Sequence, residues 1–181
     1  MAYYIGQFCG LLTIVCSVTM PFLKKKWQLL WANIAINALV ILNMALIGQF
    51  GSAIALCLVA IAQSAIALPR AGTGREPSAT ETVVFTFLYL GFGFLGIITA
   101  PNFIWQINSR NLLELLPILG ALSQMISVFV PDEQNTRKWL LCNALFWVIY
   151  SAAVGSSVVV NDLLAVISTS SAIYKYRKKK A

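Results

Sequence analysis

YIGQFCGLLTIVCSVTMPFLKKKW, residues Tyr4 to Trp27, decides the fold. From Tyr4 to Leu23 there is no charged residue, and the stretch stops on Lys24-Lys25-Lys26. About 20 helical residues, each rising 1.5 Å, cross the ~30 Å hydrocarbon core of a bilayer. A secretory signal would carry its basic residues before the apolar run, whereas here they follow it. The stretch therefore reads as a first membrane span, entering from outside and anchored by lysines within.

Six more apolar blocks follow, at about Trp27–Gly48, Gly51–Leu68, Thr82–Gln106, Leu112–Val130, Lys138–Gly155 and Ser157–Tyr174. With 59% apolar and 10% charged residues, the chain has too little polar surface to cover a water-facing globule, where about a quarter of residues carry charge. Connections are short except Pro69–Glu81, which reads as an exposed linker because Pro69, Gly72, Gly74, Pro77 and Ser78 fall within it. The fold class is thus an all-α polytopic membrane protein with seven transmembrane helices.

The distribution of charge tests the count independently. With seven spans and the N-terminus outside, Lys24, Lys25, Lys26, Arg70, Arg75, Arg137, Lys138, Lys175, Arg177, Lys178, Lys179 and Lys180 share one side, and Arg110 alone faces the other. Cytoplasmic loops are enriched in Lys and Arg, so the C-terminus is expected in the cytoplasm. Removing any interior span scatters these residues over both faces.

A net charge of +7 raises the question of nucleic acid, but the cations sit at span ends, where they anchor helices. The tail from Lys175 to Lys180 suits anionic lipid, and no nucleic-acid partner is expected. Cys9, Cys16, Cys57 and Cys142 all fall in apolar blocks without metal or redox spacing, and the chain has no histidine. They read as small buried hydrophobes, and neither a metal nor a cofactor is expected.

Part of the opening stretch recurs. Gly10, Ser17-Val18, Pro21 and Asn33 line up with Gly120, Ser127-Val128, Pro131 and Asn143, and Ser64-Ala65-Ile66 with Ser171-Ala172-Ile173 after a small shift that also pairs Gly48 with Gly155. The order implies a duplicated three-helix unit. Residues 1–68 form the first bundle, 69–81 a cytoplasmic linker and 82–107 a connecting helix. Residues 112–174 form the second bundle and 175–181 a basic tail. The connecting helix inverts the chain, so the two units run parallel about an axis along the membrane normal, a known transporter architecture.

This 3+1+3 plan resembles the SWEET sugar transporters and the wider PQ-loop superfamily, and Asn143-Ala-Leu-Phe-Trp147-Val-Ile-Tyr150-Ser151 is similar to the sixth SWEET helix. A closer resemblance, over most of the chain, is to the YgjV-type bacterial inner-membrane family. It is carried by Glu114-Leu115-Leu116-Pro117 with Gly120, Arg137, Trp147-Val148-Ile149, Gly155-Ser156, Ile173 and Arg177. The resemblance implies two triple-helix bundles in a bacterial inner membrane. The chain departs from the superfamily in lacking a Pro-Gln dipeptide and an Asn on helix 3, and Asn161 on helix 7 sits about two residues from the expected spacing.

An amide in a bilayer is costly unless paired, and it usually faces the protein interior. Asn33 and Asn37, four residues apart, share one helix face, and Asn143 with Trp147 holds the equivalent face of helix 6. The functional reading is a midplane solute site with Asn33, Asn37, Asn143 and Trp147 at its centre and Tyr150, Ser151 and Asn161 beside them. The plainer reading is interhelical hydrogen bonding. Asp162 and Glu114 fall in first helical turns, where the dipole favours a negative charge; they are also the candidates for proton or ion coupling. Pro21 and Pro131 are helix stops or gating hinges, and Pro101 and Pro117 are expected to kink their helices. Gly91-Phe92-Gly93-Phe94-Leu95-Gly96 has the letters of a dinucleotide loop but no preceding strand, so it reads as close helix packing. No catalytic constellation is present, and no enzyme is expected. The expected function is transport of a small polar, uncharged solute by alternating access. The alternative is a non-transporting adaptor or assembly protein of the same fold.

Overall fold

A computed structural model describes residues 2–46, 52–71, 73, 76–98, 113, 115–153 and 159–177. Among them are seven α-helices and no strand. The helices are α1 Ala2–Thr19, α2 Lys26–Leu46, α3 Ser52–Ala67, α4 Ala79–Ile98, α5 Leu115–Phe129, α6 Glu133–Ala153 and α7 Val159–Arg177. At 1.5 Å per residue, the 21 residues of α2 and of α6 each rise ~31 Å. Tyr4–Phe22 and Ala79–Ile98 are long and apolar enough to cross a membrane, and Ile54–Arg70 and Leu115–Phe129 are apolar but shorter.

The bundle is inside-out. Tyr4, Phe8, Leu11 and Val15 recur at helical spacing along α1 and all point outward, Phe8 being 59% exposed. Gln63 and Ser64, by contrast, are 0% exposed, and Asn33, Asn37, Ser127, Thr136 and Arg137 are also buried. An apolar exterior over an interior that holds many polar groups suits a hydrocarbon solvent, in which each polar group must be satisfied within the protein. The hydroxyls follow that rule by bonding their own helices: Thr13 to the Cys9 carbonyl at 2.9 Å, Thr86 to Thr82 at 2.7 Å and Ser123 to Leu119 at 2.9 Å.

Several helix ends differ from the apolar blocks, because caps and not hydropathy set them. α4 begins at Ala79, three residues before its block, since Ser78 and Glu81 close a reciprocal capping box. The Glu81 amide donates to Ser78 Oγ at 3.1 Å, and the Ser78 amide to Glu81 Oε2 at 2.9 Å. α6 begins at Glu133, five residues early, with Asp132 Oδ2 accepting the Asn135 amide at 2.8 Å. Arg137 therefore lies within the helix. α7 continues to Arg177, past the expected end at Tyr174. Pro117 falls in the first described turn of α5, and Pro101 lies outside the described residues.

Each helix packs on the next in the chain, α7 returns to α1, and α3 also touches α5. Six helices thus close a ring, with α4 across the α3/α5 seam. The densest apolar packing is there, with Phe85 edge-on to Phe129 at 5.7 Å between Leu30, Val59, Tyr89 and Met125. Gly93 permits the close approach of α4 to α5, since a Cβ there would lie 2.8 Å from Ile118 Cγ1.

Contacts at one end establish the direction of the helices. Arg137, near the start of α6, reaches Pro21 and Leu23 after α1, and Tyr176, at the end of α7, reaches Phe22. Lys26, at the start of α2, reaches Ser127 near the end of α5, and Arg70, after α3, pairs with Glu81 at the start of α4. The odd-numbered helices therefore finish at this end and the even-numbered ones start there. α1 and α5 thus run the same way. Lys26, Arg70, Arg137 and Lys175 are all drawn to this basic end.

Candidate functional site

Within the ring is a cavity of about 300 Å³, and every one of the seven helices contributes to its wall. α2 supplies Asn33 to Val40 and α7 supplies Asp162 to Thr169, each about two turns, so the cavity is ~10 Å tall. Met20 and Pro21 form part of it toward the basic end.

The four residues expected at its centre all line it, but their roles differ. Asn33 is a structural hub: its amide nitrogen donates to Ser64 Oγ at 2.8 Å, and its Oδ1 accepts from Asn37 at 3.1 Å and from Gln124 at 2.8 Å. It thereby ties α2 to α3 and α5, the interhelical role that amides often take in membranes. Asn37 is held on the same helix by a second donation, to the Asn33 carbonyl, at 2.8 Å.

Asn143 differs from Asn33, the residue with which it lines up in the sequence. Its Oδ1 is buried without a hydrogen-bond partner, as is the Oδ1 of Asn161. Trp147 lies one turn further along α6 with its indole edge-on to Tyr150 at 6.0 Å. Gly120 on α5 makes room for both: a Cβ there would come within 3.0 Å of Trp147 Nε1 and 3.2 Å of Asn143 Oδ1. Gly10, with which it lines up in the sequence, faces Asn43 instead, where a Cβ would lie 3.1 Å from Nδ2. Both glycines thus make room for an amide side chain.

Asp162 falls in the first turn of α7, where the helix dipole favours it, and it also faces the cavity. It is 9% exposed, and its Oδ2 accepts from Ser151 Oγ at 2.7 Å. Ser151 therefore serves the site through Asp162, and Tyr150 through Trp147. Glu114 lies outside the described residues.

Pro21 and Pro131 are separated by the fold: Pro21 lines the central cavity and Pro131 a second one of about 240 Å³ at the basic end, beside Lys26, Arg70 and Glu133. The loop carrying Pro21 is strapped down from the other half of the chain. Arg137 Nε donates to the Pro21 carbonyl at 2.8 Å, Nη2 to Leu23 at 2.6 Å, and its guanidinium lies 4.4 Å over the Tyr176 ring. Tyr176 Oη donates to Phe22 at 2.6 Å. Lys26 makes the reciprocal reach, donating to the Ser127 carbonyl and to Thr136 Oγ1 at 2.7 Å. Each half thus sends one buried cation to backbone carbonyls of the other, where helix C-termini favour positive charge.

Sequence reasoning overlooked Gln63, Gln124 and Tyr89. Gln63 donates to the Met125 carbonyl at 2.9 Å and accepts from Tyr89 Oη at 3.0 Å, joining α3, α4 and α5. The signal was available, since a glutamine in an apolar span needs a partner as much as an asparagine does. Among the described residues no group of His, Cys, Asp and Glu is placed to hold a metal.

Comparison with known proteins adds one finding. The family model Imp-YgjV, described as a bacterial inner membrane protein, matches residues 4–180. No curated protein and no solved structure matches the chain.

Proposed function

Since the chain belongs to the Imp-YgjV family of bacterial inner membrane proteins, crossing that membrane several times, we propose that it is a carrier for a small polar solute. Helices α1–α3 and α5–α7 are its two moving units, related as in SWEET-like transporters, and α4 joins them. The basic end faces the cytoplasm, because twelve of the thirteen Lys and Arg residues belong there under the positive-inside rule.

The observation that carries this reading is the cavity to which all seven helices contribute. At about 300 Å³ it stands at the lower bound of small-molecule sites. Its wall is largely apolar, but the amides of Asn33, Asn37, Gln124 and Asn143, the Trp147 indole and the Asp162 carboxylate are set into it, where an interior made only for packing would carry none of them. The Arg137 and Lys26 contacts tie the two halves of the chain together at the basic end, and on this reading opening that side requires them to part. A non-transporting scaffold would need no such cavity, and the unpaired Oδ1 of Asn143 counts against that alternative.

Cys57 lines the cavity and provides a native probe. In a chain with Cys9, Cys16 and Cys142 replaced by serine, a membrane-impermeant maleimide is expected to label Cys57 from one side of sealed vesicles. The label should slow when Asn37 or Trp147 is replaced by a bulkier residue that fills the cavity. Absence of labelling from either side, with full labelling after denaturation, would show a sealed interior and end the carrier reading.

A further inference from the structure

The charge of the cavity wall narrows what it accepts. Asp162 is the one charged residue among those described in the wall. Its hydrogen-bond partner Ser151 is neutral, and among the described residues the ion pair present is Arg70–Glu81, far from it at the basic end. The buried cations Lys26 and Arg137 are both occupied there by carbonyls of the opposite half. Among the described residues no basic side chain lines the cavity with Asp162; a carboxylate so placed inside a membrane domain is expensive, and a cation entering the site relieves that cost.

Two further features point the same way. Among the described residues, the buried side-chain atoms that lack a partner, Asn143 Oδ1 and Asn161 Oδ1, are both acceptors, so what is missing there is a donor. The first belongs to the cavity wall, and the second to the residue adjoining Asp162. Trp147, whose indole is the best of the aromatic faces for a cation, lines the same space. Carboxylate, carbonyl oxygen and indole form a set that favours positive charge and N–H donors. The carboxylate, the one charged group among the described wall residues, repels an anion.

On the carrier reading, we propose that the solute is a small monovalent organic cation bearing N–H groups, a primary or secondary ammonium, with Asp162 as its counter-ion. Amide and indole faces alone suggest an uncharged solute; the burial of Asp162 beside them changes the class.

Three probes of matched shape test this through protection of Cys57 in vesicles, in the same full chain with Cys9, Cys16 and Cys142 replaced by serine: cyclohexylammonium, cyclohexanol and cyclohexanecarboxylate. At equal concentration the ammonium is expected to slow labelling about tenfold and the other two less than twofold. Asp162→Asn should label normally without probe, which reports an intact cavity, and should lose the ammonium's protection. Asp162→Glu should retain part of it. Equal protection by the alcohol, or protection that survives Asp162→Asn, overturns the cation assignment while leaving the carrier reading intact. So does labelling that none of the three probes slows. Failure of Cys57 to label at all overturns both.

Discussion

Replacing Asn33 by alanine separates structure from site at the position where the repeat first suggested a ligand. Asn33 is 4% exposed and engaged by three neighbours, Ser64, Asn37 and Gln124. Side-chain hydrogen bonds between membrane helices average ~0.6 kcal/mol each and reach ~1.7. Three bonds give about 2 kcal/mol, with a ceiling near 5. Asn37 keeps its donation to the Asn33 backbone carbonyl at 2.8 Å, so its loss is partly made good, and the lower figure is expected. A loss of about 2 kcal/mol lowers the folded-to-unfolded ratio roughly 30-fold. The assay is reversible unfolding of the purified chain in mixed micelles as the fraction of SDS is raised. A double-mutant cycle with Gln124→Ala should return a coupling of about 0.6 kcal/mol, since the 2.8 Å bond joins them. A loss under about 0.5 kcal/mol with no coupling would refute the hub, and Asn33 would then return to the list of solute contacts.

Further expectations concern the seams of the bundle. Gly93→Ala should cost about 1–3 kcal/mol in the same unfolding assay, because its Cβ would meet Ile118 at 2.8 Å. Gly91→Ala, with nothing within 4 Å, should be neutral or stabilise by up to ~1 kcal/mol; equal effects would contradict the α4/α5 approach described above. Arg137→Lys keeps the charge but cannot reach two carbonyls and stack on Tyr176 together, so a loss of about 1.5–3 kcal/mol is expected, and an unchanged midpoint would show the strap to be idle. Ser78→Ala removes the start of α4 at a cost of about 0.5–2 kcal/mol, seen as faster amide exchange from Ala79 to Thr82; unaltered exchange there would mean that the cap contributes nothing.

The polar interior was only partly legible in the chain. Asn33 and Asn143 stand out as amides in apolar blocks at matching positions of a repeat, and both line the cavity. Their different states, one saturated and one with an unpaired oxygen, were not legible. That difference depends on what the neighbouring helices present at the same depth: Ser64 and Gln124 beside Asn33, and Gly120 beside Asn143. Arg137 shows the same limit. In the sequence it is a cation at a span boundary, and in the fold it is a buried clamp on a loop 114 residues away.

By itself the sequence determined the membrane solvent and the number of helical blocks, because those follow from block length and charge placement along one dimension. The opening stretch from Tyr4 to Trp27 already contains the essentials, an uncharged run long enough to cross and a lysine stop. The tertiary structure alone decided which helices are neighbours, which amides are satisfied, and that Asp162 faces inward with Ser151 as its partner. Hydrogen bonds and charge pairs are short-ranged and directional, so their pairing waits until helices far apart in the chain are brought to the same depth.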